Sequence, residues 1–575
     1  MADEPSTSLT PLGKFLSLVL ILGLIAAGGY VVWVRSQAPP PGPGRAGGAA
    51  PEPAPVEEKD LTGVTTVKEY KYVPAEVLPP VKGAVVGYKW DENNKVLRFS
   101  YNVWAGWLPL FAANKGQAPN AESVFAKKYG FKLELVKMDD PINARDAFAA
   151  GEVHTLWGTV DMMVLFAPEL MRDTRTAPRI LQQIDWSNGG DGIVVRTKIR
   201  NVSDLRGKTV TMAVNSPSQY FLTSLLLTAG LKPADVKLKA TGDAFQAAAA
   251  FVSDSSVDAC VSWAPDIYNI PDRVKGTRIL ASTKDANKLI ADVYAVRADF
   301  ARDHPDIVEG LVAGIFEGMD ILKEHPEEAC RHMADAFGMK PDEVMGMRSD
   351  AHITNYAENV QFFLNSSNPT NFERTWKNAS YVYQKLGTLP GAPIEFNQVM
   401  DFSYIKSERM QKQFEHQRDE SVASFTPASF RKVQAEAPIL TQTIRINFYP
   451  NSDNPYEPSR DEFGNALPGK LYDPGVDATL DRVAQLAGQF ARCVILVEGH
   501  TDSSMKGRVP VQAVKDLSMG RAEAVKEAVI QKYKFHPNKF TVQGKGWDEP
   551  FDATQPLNQA LNRRVEISVF PPEEQ

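Results

Sequence analysis

Two groups of residues in this chain have the types and spacing to hold a ligand. The first lies near the C-terminus. An apolar run, Val494-Ile495-Leu496-Val497 behind Cys493, reads as a buried strand; Gly499 ends it, and Thr501 and Asp502 follow at a polar tip. Further on, Ala522, Val525, Ala528 and Val529 recur at helical spacing over 518–533, which places Arg521 in the first turn. A carboxylate seats an ammonium, and a guanidinium grips a carboxylate with two prongs, so a zwitterion needs one of each. The plainer reading of Asp502 and Arg521 is a surface ion pair.

The second group is spread through the middle of the chain. Asn215-Ser216-Pro217-Ser218-Gln219-Tyr220 joins a strand pattern at 209–214 to a helix with Leu222, Leu225, Leu226 and Ala229 on its apolar face. Ser216 suits the N-cap, Pro217 the first helical position and Gly230 the end. Free N–H groups at such a turn favour an anionic group, although an ordinary capped helix has the same sequence. Five of the nine Trp residues, Trp104, Trp107, Trp157, Trp186 and Trp263, fall at strand ends or loops of this region. Each would ordinarily be core. Asp161, Asp191 and Asp266 lie within five residues of the last three. Aromatic faces with acids suit a cation, and the Ser216 turn would take an anionic end. An anion alone would lack compensation, because no Arg stands in those loops. The candidate solute-binding set is Trp104, Trp107, Thr159, Asp161, Asn188, Ser216, Ser218, Gln219, Tyr220, Trp263 and Asp266.

These residues need a scaffold. Strand patterns at 96–101, 132–136, 209–214 and 293–296 alternate with helical ones, which predicts an α/β sheet with crossover helices. Such sheets bind ligands in the crevice at the carboxyl ends of their strands. At 575 residues the chain needs two to four domains. Its net charge of −7 argues against a nucleic-acid partner. The three Cys and eight His residues show neither a metal spacing nor a disulfide framework. From Phe15 to Val34 no residue is charged, with Lys14 and Arg35 at the ends; at about 1.5 Å per residue this spans a bilayer core. A cleaved signal peptide, with Ala26-Ala27-Gly28 as its weak processing site, is the rival. Pro, Gly and Ala dominate 37–60, an extended linker. The polar stretch 402–437 reads as a helical connector, followed by a strand at 443–448 and a helix marked by Leu480, Val483 and Leu486. The insertion 456–473 has no readable role.

The C-terminal blocks resemble, in order and type, the OmpA-like peptidoglycan-binding domain. They are Val494 to Asp502, Leu517-Ser518-x-x-Arg521-Ala522-x-x-Val525, Gly544-x-Gly546-x-x-x-Pro550 and Asn562-Arg563-Arg564-Val565-Glu566-Ile567. The resemblance implies that Asp502 takes the ammonium, and Arg521 the carboxylate, of the diamino acid ending a wall stem peptide. Asn562 and Arg563 would support them, with Thr501 alongside. Val514 stands where the family has Asn, and the loop from Asp502 to Leu517 is longer than usual.

A second resemblance covers about 300 residues. Tyr101-Asn102-Val103-Trp104-Ala105-Gly106-Trp107-Leu108-Pro109-Leu110, Tyr129-Gly130-Phe131, Gly158-Thr159-Val160-Asp161, Asp204-Leu205-Arg206-Gly207-Lys208-Thr209-Val210 and Asn215-Ser216-Pro217-Ser218 carry it. They look like the periplasmic solute-binding proteins of the nitrate, sulfonate, taurine and thiamine-precursor class. That implies two α/β lobes closing on a small molecule, without catalytic residues, metal or cofactor.

The expected fold is therefore α/β: a two-lobed periplasmic binding protein-like domain at 61–405, a connector at 406–437 and an α/β OmpA-like domain at 438–575. A cytoplasmic tail (1–14), one transmembrane helix (15–34) and a linker (35–60) would precede them. The expected function is a membrane-anchored solute-binding protein of ABC-transporter type, tethered to the wall. The alternative is a structural tether whose binding-protein domain docks or senses. Expected partners are a small anionic or zwitterionic solute, peptidoglycan, the inner membrane and an ABC transporter permease, with no nucleic acid. The expected location is the bacterial cell envelope, crossing the inner membrane once with the bulk of the chain periplasmic. An enzyme is set aside, because no nucleophile is paired with a base.

Overall fold

The computed structural model describes residues 63–571, except 76–77, 390, 422–424 and 426–436. The tail, membrane segment and linker expected at 1–60 lie outside the described residues. Among the described residues no helix is long and apolar enough to cross a membrane.

The alternation expected at 96–101 forms strand Val96–Tyr101, with Leu97 and Phe99 buried. It pairs in parallel with Lys132–Lys137 at one edge of a six-stranded sheet. The order across that sheet is Ala351–Ile353, Pro178–Ser187, Ala291–Arg297, Thr155–Thr159, Val96–Tyr101 and Lys132–Lys137. Ala291–Arg297 is buried along its whole length, so apolar residues run on there instead of alternating. A second six-stranded sheet runs Tyr72–Val73, Lys237–Thr241, Thr209–Ala213, Ala259–Trp263, Asp191–Arg196 and Thr277–Ser282.

Beyond the N-terminal passage from Tyr72–Val73 to Val96–Tyr101, the chain crosses between the sheets twice, after Pro178–Ser187 and after Thr277–Ser282, so the two sheets form two lobes. One hydroxyl ties the crossings together. Thr283 Oγ1 accepts from the Gly189 and Asp191 amides at 2.9 and 3.1 Å and lies 2.8 Å from Ser187 Oγ. Thr283 N donates to Asp191 O at 2.9 Å.

A strap from the N-terminal side touches both lobes. On the second lobe, the Thr66 amide and hydroxyl donate to Asp266 Oδ1 at 2.9 and 2.7 Å, and Tyr72–Val73 pairs with Lys237–Thr241. On the first lobe, buried Arg145 donates to Pro79 O at 2.7 Å, and the Val86 amide to Ala149 O at 3.3 Å. On the C-terminal side, Met410 and Phe414 are buried, and Phe414 packs 5.3 Å from Phe316 between ring centroids.

The C-terminal sheet has the order Leu440–Ile444, Val565–Phe570, Val494–His500 and Phe540–Gly546. Leu480, Val483 and Leu486 are buried on helix Val476–Gln489, as their spacing predicts. Two expectations are corrected. The strand expected at 443–448 is Leu440–Ile444, because the Asn447 amide turns away to Asp473 Oδ2 at 2.8 Å. The helix expected at 518–533 is Val511–Tyr533, so Arg521 sits mid-helix and not in a first turn. The insertion 456–473 contains an antiparallel pair, Pro458–Arg460 with Ala466–Leu471, turned through Gly464 at φ +85°.

Two glycines explain how that helix meets the sheet. A Cβ on Gly499 would lie 2.0 Å from Ser518 O, and one on Gly544 would lie 2.4 Å from Lys515 O. The helix backbone therefore rests directly on the strands that carry the polar tip. Gly499→Ala should destabilise this domain by roughly 1–3 kcal/mol through overpacking. Urea unfolding of the full chain checks this, and an unchanged transition would contradict the close approach.

Candidate functional site

The interlobe site gathers around the crossings. Trp104 Nε1 donates to Asp185 Oδ2 at 3.1 Å, and its ring lies against Gly190, where a Cβ would stand 2.3 Å from Cη2. Asp292 is the cross-strand neighbour of both Asp185 and Thr159. Thr159 Oγ1 accepts from the Met162 amide at 3.4 Å and so caps Val160–Leu170, which places Asp161 in the first turn. Tyr383 donates to Asp161 Oδ2 at 2.9 Å, and Tyr220, 6.2 Å from Tyr383 between centroids, accepts from Asn378 at 2.9 Å. From the second lobe, Asp191 faces Trp263 across the sheet and accepts from Ser187 Oγ at 2.7 Å.

Four carboxylates are thus buried together, and among the described residues no lysine or arginine stands beside them, although His352 draws Asp185 slightly toward its charged form. Burial raises Asp161 to about 6 and both Asp185 and Asp191 to about 7, and it raises Asp292 well above the carboxylate range, where neighbouring Asp185 adds to the effect. Among the described residues, Asp185 Oδ1, Asp191 Oδ1, Ser218 Oγ and Trp263 Nε1 have no hydrogen-bond partner.

Several expected site residues do something else. Trp107 is core, fully buried, with Nε1 on Asn102 at 2.8 Å. Asp266 holds the strap residue Thr66. Asn188 spends its groups on Asp350 O at 2.7 Å, Ser349 O at 2.9 Å and Arg492 at 2.8 Å. Ser216 stands at the N-cap, but its hydroxyl donates back to Ala213 O at 3.0 Å and not to the helix. The Gln219 side chain accepts from the Asn215 amide at 2.8 Å, with Asn215 at φ +54°. Asp185 and Asp292 escaped sequence reading, although an acid beside Trp186 and another heading an apolar run are the signals that mark them.

The C-terminal site is charged and compact. Thr501 N donates to Gly546 O at 2.7 Å, which fixes the tip after Val494–His500. Asp502 accepts from the Ser504 amide at 2.9 Å and from Arg563 Nε at 2.6 Å. Burial pushes Asp502 upward, but those hydrogen bonds outweigh it and hold the carboxyl below its usual range. Arg521 lies 4.9 Å over the Phe448 ring and donates Nε to Ser452 O at 3.1 Å. Burial, then the nearby Arg563 charge, lower it to about 10, against the pull of Asp453 and Asp502. Asp502 and Arg521 are therefore neighbours without being the simple ion pair, since Arg563 holds the acid. Asn562 is spent on the 551–562 loop, accepting from Phe551 N at 2.9 Å and donating to Gln555 O at 2.8 Å. With Asp453 beside Arg521 and Asp502 beside Arg563, the site sets two carboxylates among two guanidiniums, an arrangement that suits a ligand with both an ammonium and a carboxylate.

Residues 125–329 match the family described as NMT1/THI5 like, and residues 471–564 match the OmpA family. The taurine-binding periplasmic protein of Escherichia coli (strain K12) is 23% identical over 247 residues, 41% of this chain and 73% of that protein. Outer membrane protein Omp38 of Acinetobacter baumannii is 32% identical over 85 residues; this is 15% of this chain, which spans only 23% of Omp38. Among solved structures, the periplasmic aliphatic sulphonate binding protein SsuA from Escherichia coli aligns over 53% of this chain and 96% of its own, with TM-score 0.41 and 18% identity. The chain thus joins an NMT1/THI5-like periplasmic binding domain to a C-terminal domain of the OmpA family.

Proposed function

We propose that this protein captures a small amine-bearing solute between its two lobes while its C-terminal domain holds peptidoglycan. The observation that carries this reading is the set of four buried carboxylates walled by Trp104, Tyr220, Trp263 and Tyr383, on a chain that also bears the Asp502, Arg521 and Arg563 cluster. An ammonium would supply the counter-charge that the acids lack, and the N-terminus of helix Pro217–Thr228 would face the anionic end. A zwitterion of taurine's kind fits both demands. Lobe closure, without chemistry, would trap it. Anchoring by residues 15–34, periplasmic placement and delivery to an ABC transporter permease complete the proposal. A tether whose lobes sense rather than deliver is a second reading; the strap that grips both lobes favours it.

At the wall, the stem-peptide ammonium would share Asp502 with Arg563, and its carboxylate would meet Arg521. Asp502→Ala and Arg521→Ala should each release the protein from purified sacculi. Continued co-sedimentation of both variants would sink the assignment.

In the cleft, taurine and a quaternary amine should raise the melting temperature, whereas an alkylsulfonate without nitrogen should not. At 100-fold excess over Kd the stabilisation is about 2.7 kcal/mol. Asp191→Asn should abolish it; a shift by the alkylsulfonate alone would reverse the ligand chemistry.

The raised acids also predict a pH dependence. A carboxyl whose folded pKa lies above its unfolded one binds its proton more tightly when folded, so its stability contribution is full below about pH 4 and is lost as pH rises through the folded value. Without ligand, wild type should therefore lose up to about 1.4 kcal/mol per pH unit relative to Asp185→Asn between about pH 4 and 7. Asn keeps an acceptor for Trp104, and the comparison reads Asp185 together with its neighbour Asp292 while cancelling the groups that do not touch them. Parallel stability curves would show that Asp185 is not held protonated.

A further inference from the structure

The C-terminal domain does not hang from the lobes; it sits on their crossings. Its segment 489–493 meets both of them. Gln489 O accepts from the Lys288 amide at 3.0 Å, the Ala491 amide donates to Asn287 Oδ1 at 3.1 Å, and Arg492 donates to Asn188 Oδ1 at 2.8 Å. Asn188 belongs to the first crossing; Asn287 and Lys288 belong to the second. The segment is itself held in shape. The fully buried Lys539 ammonium donates to the carbonyls of Phe490, Ala491 and Cys493 at 2.6, 3.0 and 2.9 Å.

The contact extends to each lobe. On the first, Gly488 lies so close to Pro369 that a Cβ would stand 2.8 Å from its ring, and Arg374 lies 5.4 Å over Tyr533. On the second, the Val202 amide donates to Ile439 O at 3.4 Å, and helix Pro217–Thr228 lies against strand Leu440–Ile444. One domain therefore bridges both lobes and both crossings, and lobes that opened could not keep both sets of contacts.

We infer that the C-terminal domain braces the closed lobes and couples wall engagement to solute capture. Strand Val494–His500 is the link. Its first end follows the segment docked on the crossings, and its last end carries Thr501 and Asp502 of the wall site. Seven strand residues separate the two by roughly 20 Å of rigid backbone. Coupling is reciprocal: a wall ligand that shifts this domain changes lobe closure, and closure changes the wall site by the same free energy. The wall arm rests on the peptidoglycan reading above; the brace itself does not.

The test uses the full chain with spin labels at Lys127→Cys on the first lobe and Lys237→Cys on the second, both exposed; the native cysteines are buried. Pulsed electron resonance reads the interlobe distance. Arg492→Ala with Asn287→Ala should raise the longer-distance population roughly tenfold, as losing two ordinary hydrogen bonds implies. Arg492→Gln alone, a change at an exposed residue, should do so more weakly, and it serves if the double variant does not fold. Distances unchanged in the variants would overturn the brace. A soluble muropeptide with a free diamino-acid terminus should shift the wild-type distribution and leave the double variant unmoved. Muropeptide that binds without moving the wild-type distances would overturn the coupling. Muropeptide that fails to bind would count against the wall reading, and the distances alone would then decide the brace.

Discussion

Everything in the two-lobed domain depends on how its two chain crossings are fastened to each other. Thr283 does this with one hydroxyl, which takes the amides of Gly189 and Asp191 while meeting Ser187. All four groups are buried or nearly so, where each unmade hydrogen bond would cost about 1–3 kcal/mol. The knot sets the positions of Ser187 and Asp191, and through the strands on either side it positions Asp185 and Trp263. It also fixes Asn188 and the 285–288 segment, the surface on which the C-terminal domain rests. Cleft and brace are thus two faces of one fastening.

The cleft shows which electrostatic effect wins. Asp161, Asp185 and Asp191 accept hydrogen bonds from Tyr383, Trp104 and Ser187 respectively, each of which favours the charged form, whereas the contact of Asp292 with Asp185 favours its protonated form. Burial still dominates and their pKa values rise, because among the described residues no lysine or arginine comes near enough to oppose it. The wall site is the converse. Asp502 is also buried, yet its carboxyl is held low, because Ser504 and Arg563 outweigh desolvation. One acid cluster lacks a cation and the other has one to exchange, which is why the proposed ligands differ in what they must bring.

Local features were legible in the sequence and distant partnerships were not. The alternation at 96–101 gives strand Val96–Tyr101 residue for residue, and Leu480, Val483 and Leu486 mark a helix correctly. The helix start at Val511 was hidden because 511–517 carries no apolar stripe: Val511 is exposed and Val514 is its one buried residue. Ser216 has the composition of a capping serine, but Ala213 O lies closer to hand. Asp266 looked like a ligand acid from its spacing to Trp263; its partner Thr66 lies 200 residues away. Asn188 and Arg492, 304 residues apart, could be joined only by the fold.

The exchange at Asp502 follows from the same accounting of charge. The Arg563 side chain is about two-fifths exposed, whereas that of Asp502 is nearly buried. The guanidinium itself returns to water at little cost, because it is already partly solvated, and the cost of parting the pair falls on Asp502. Parting that pair leaves a buried carboxylate without its partner, so in the proposed reading an arriving ammonium would take Arg563's place as that group leaves. In that reading a ligand that brings ammonium and carboxylate together would satisfy Asp502 and the guanidinium groups in one event and leave the site's net charge unchanged. An amine alone would leave two arginines facing each other, and a carboxylate alone would leave the Asp502 pair unopened. In the proposed reading, selectivity for a zwitterion would rest less on any single contact than on the balance of Asp453 and Asp502 against Arg521 and Arg563.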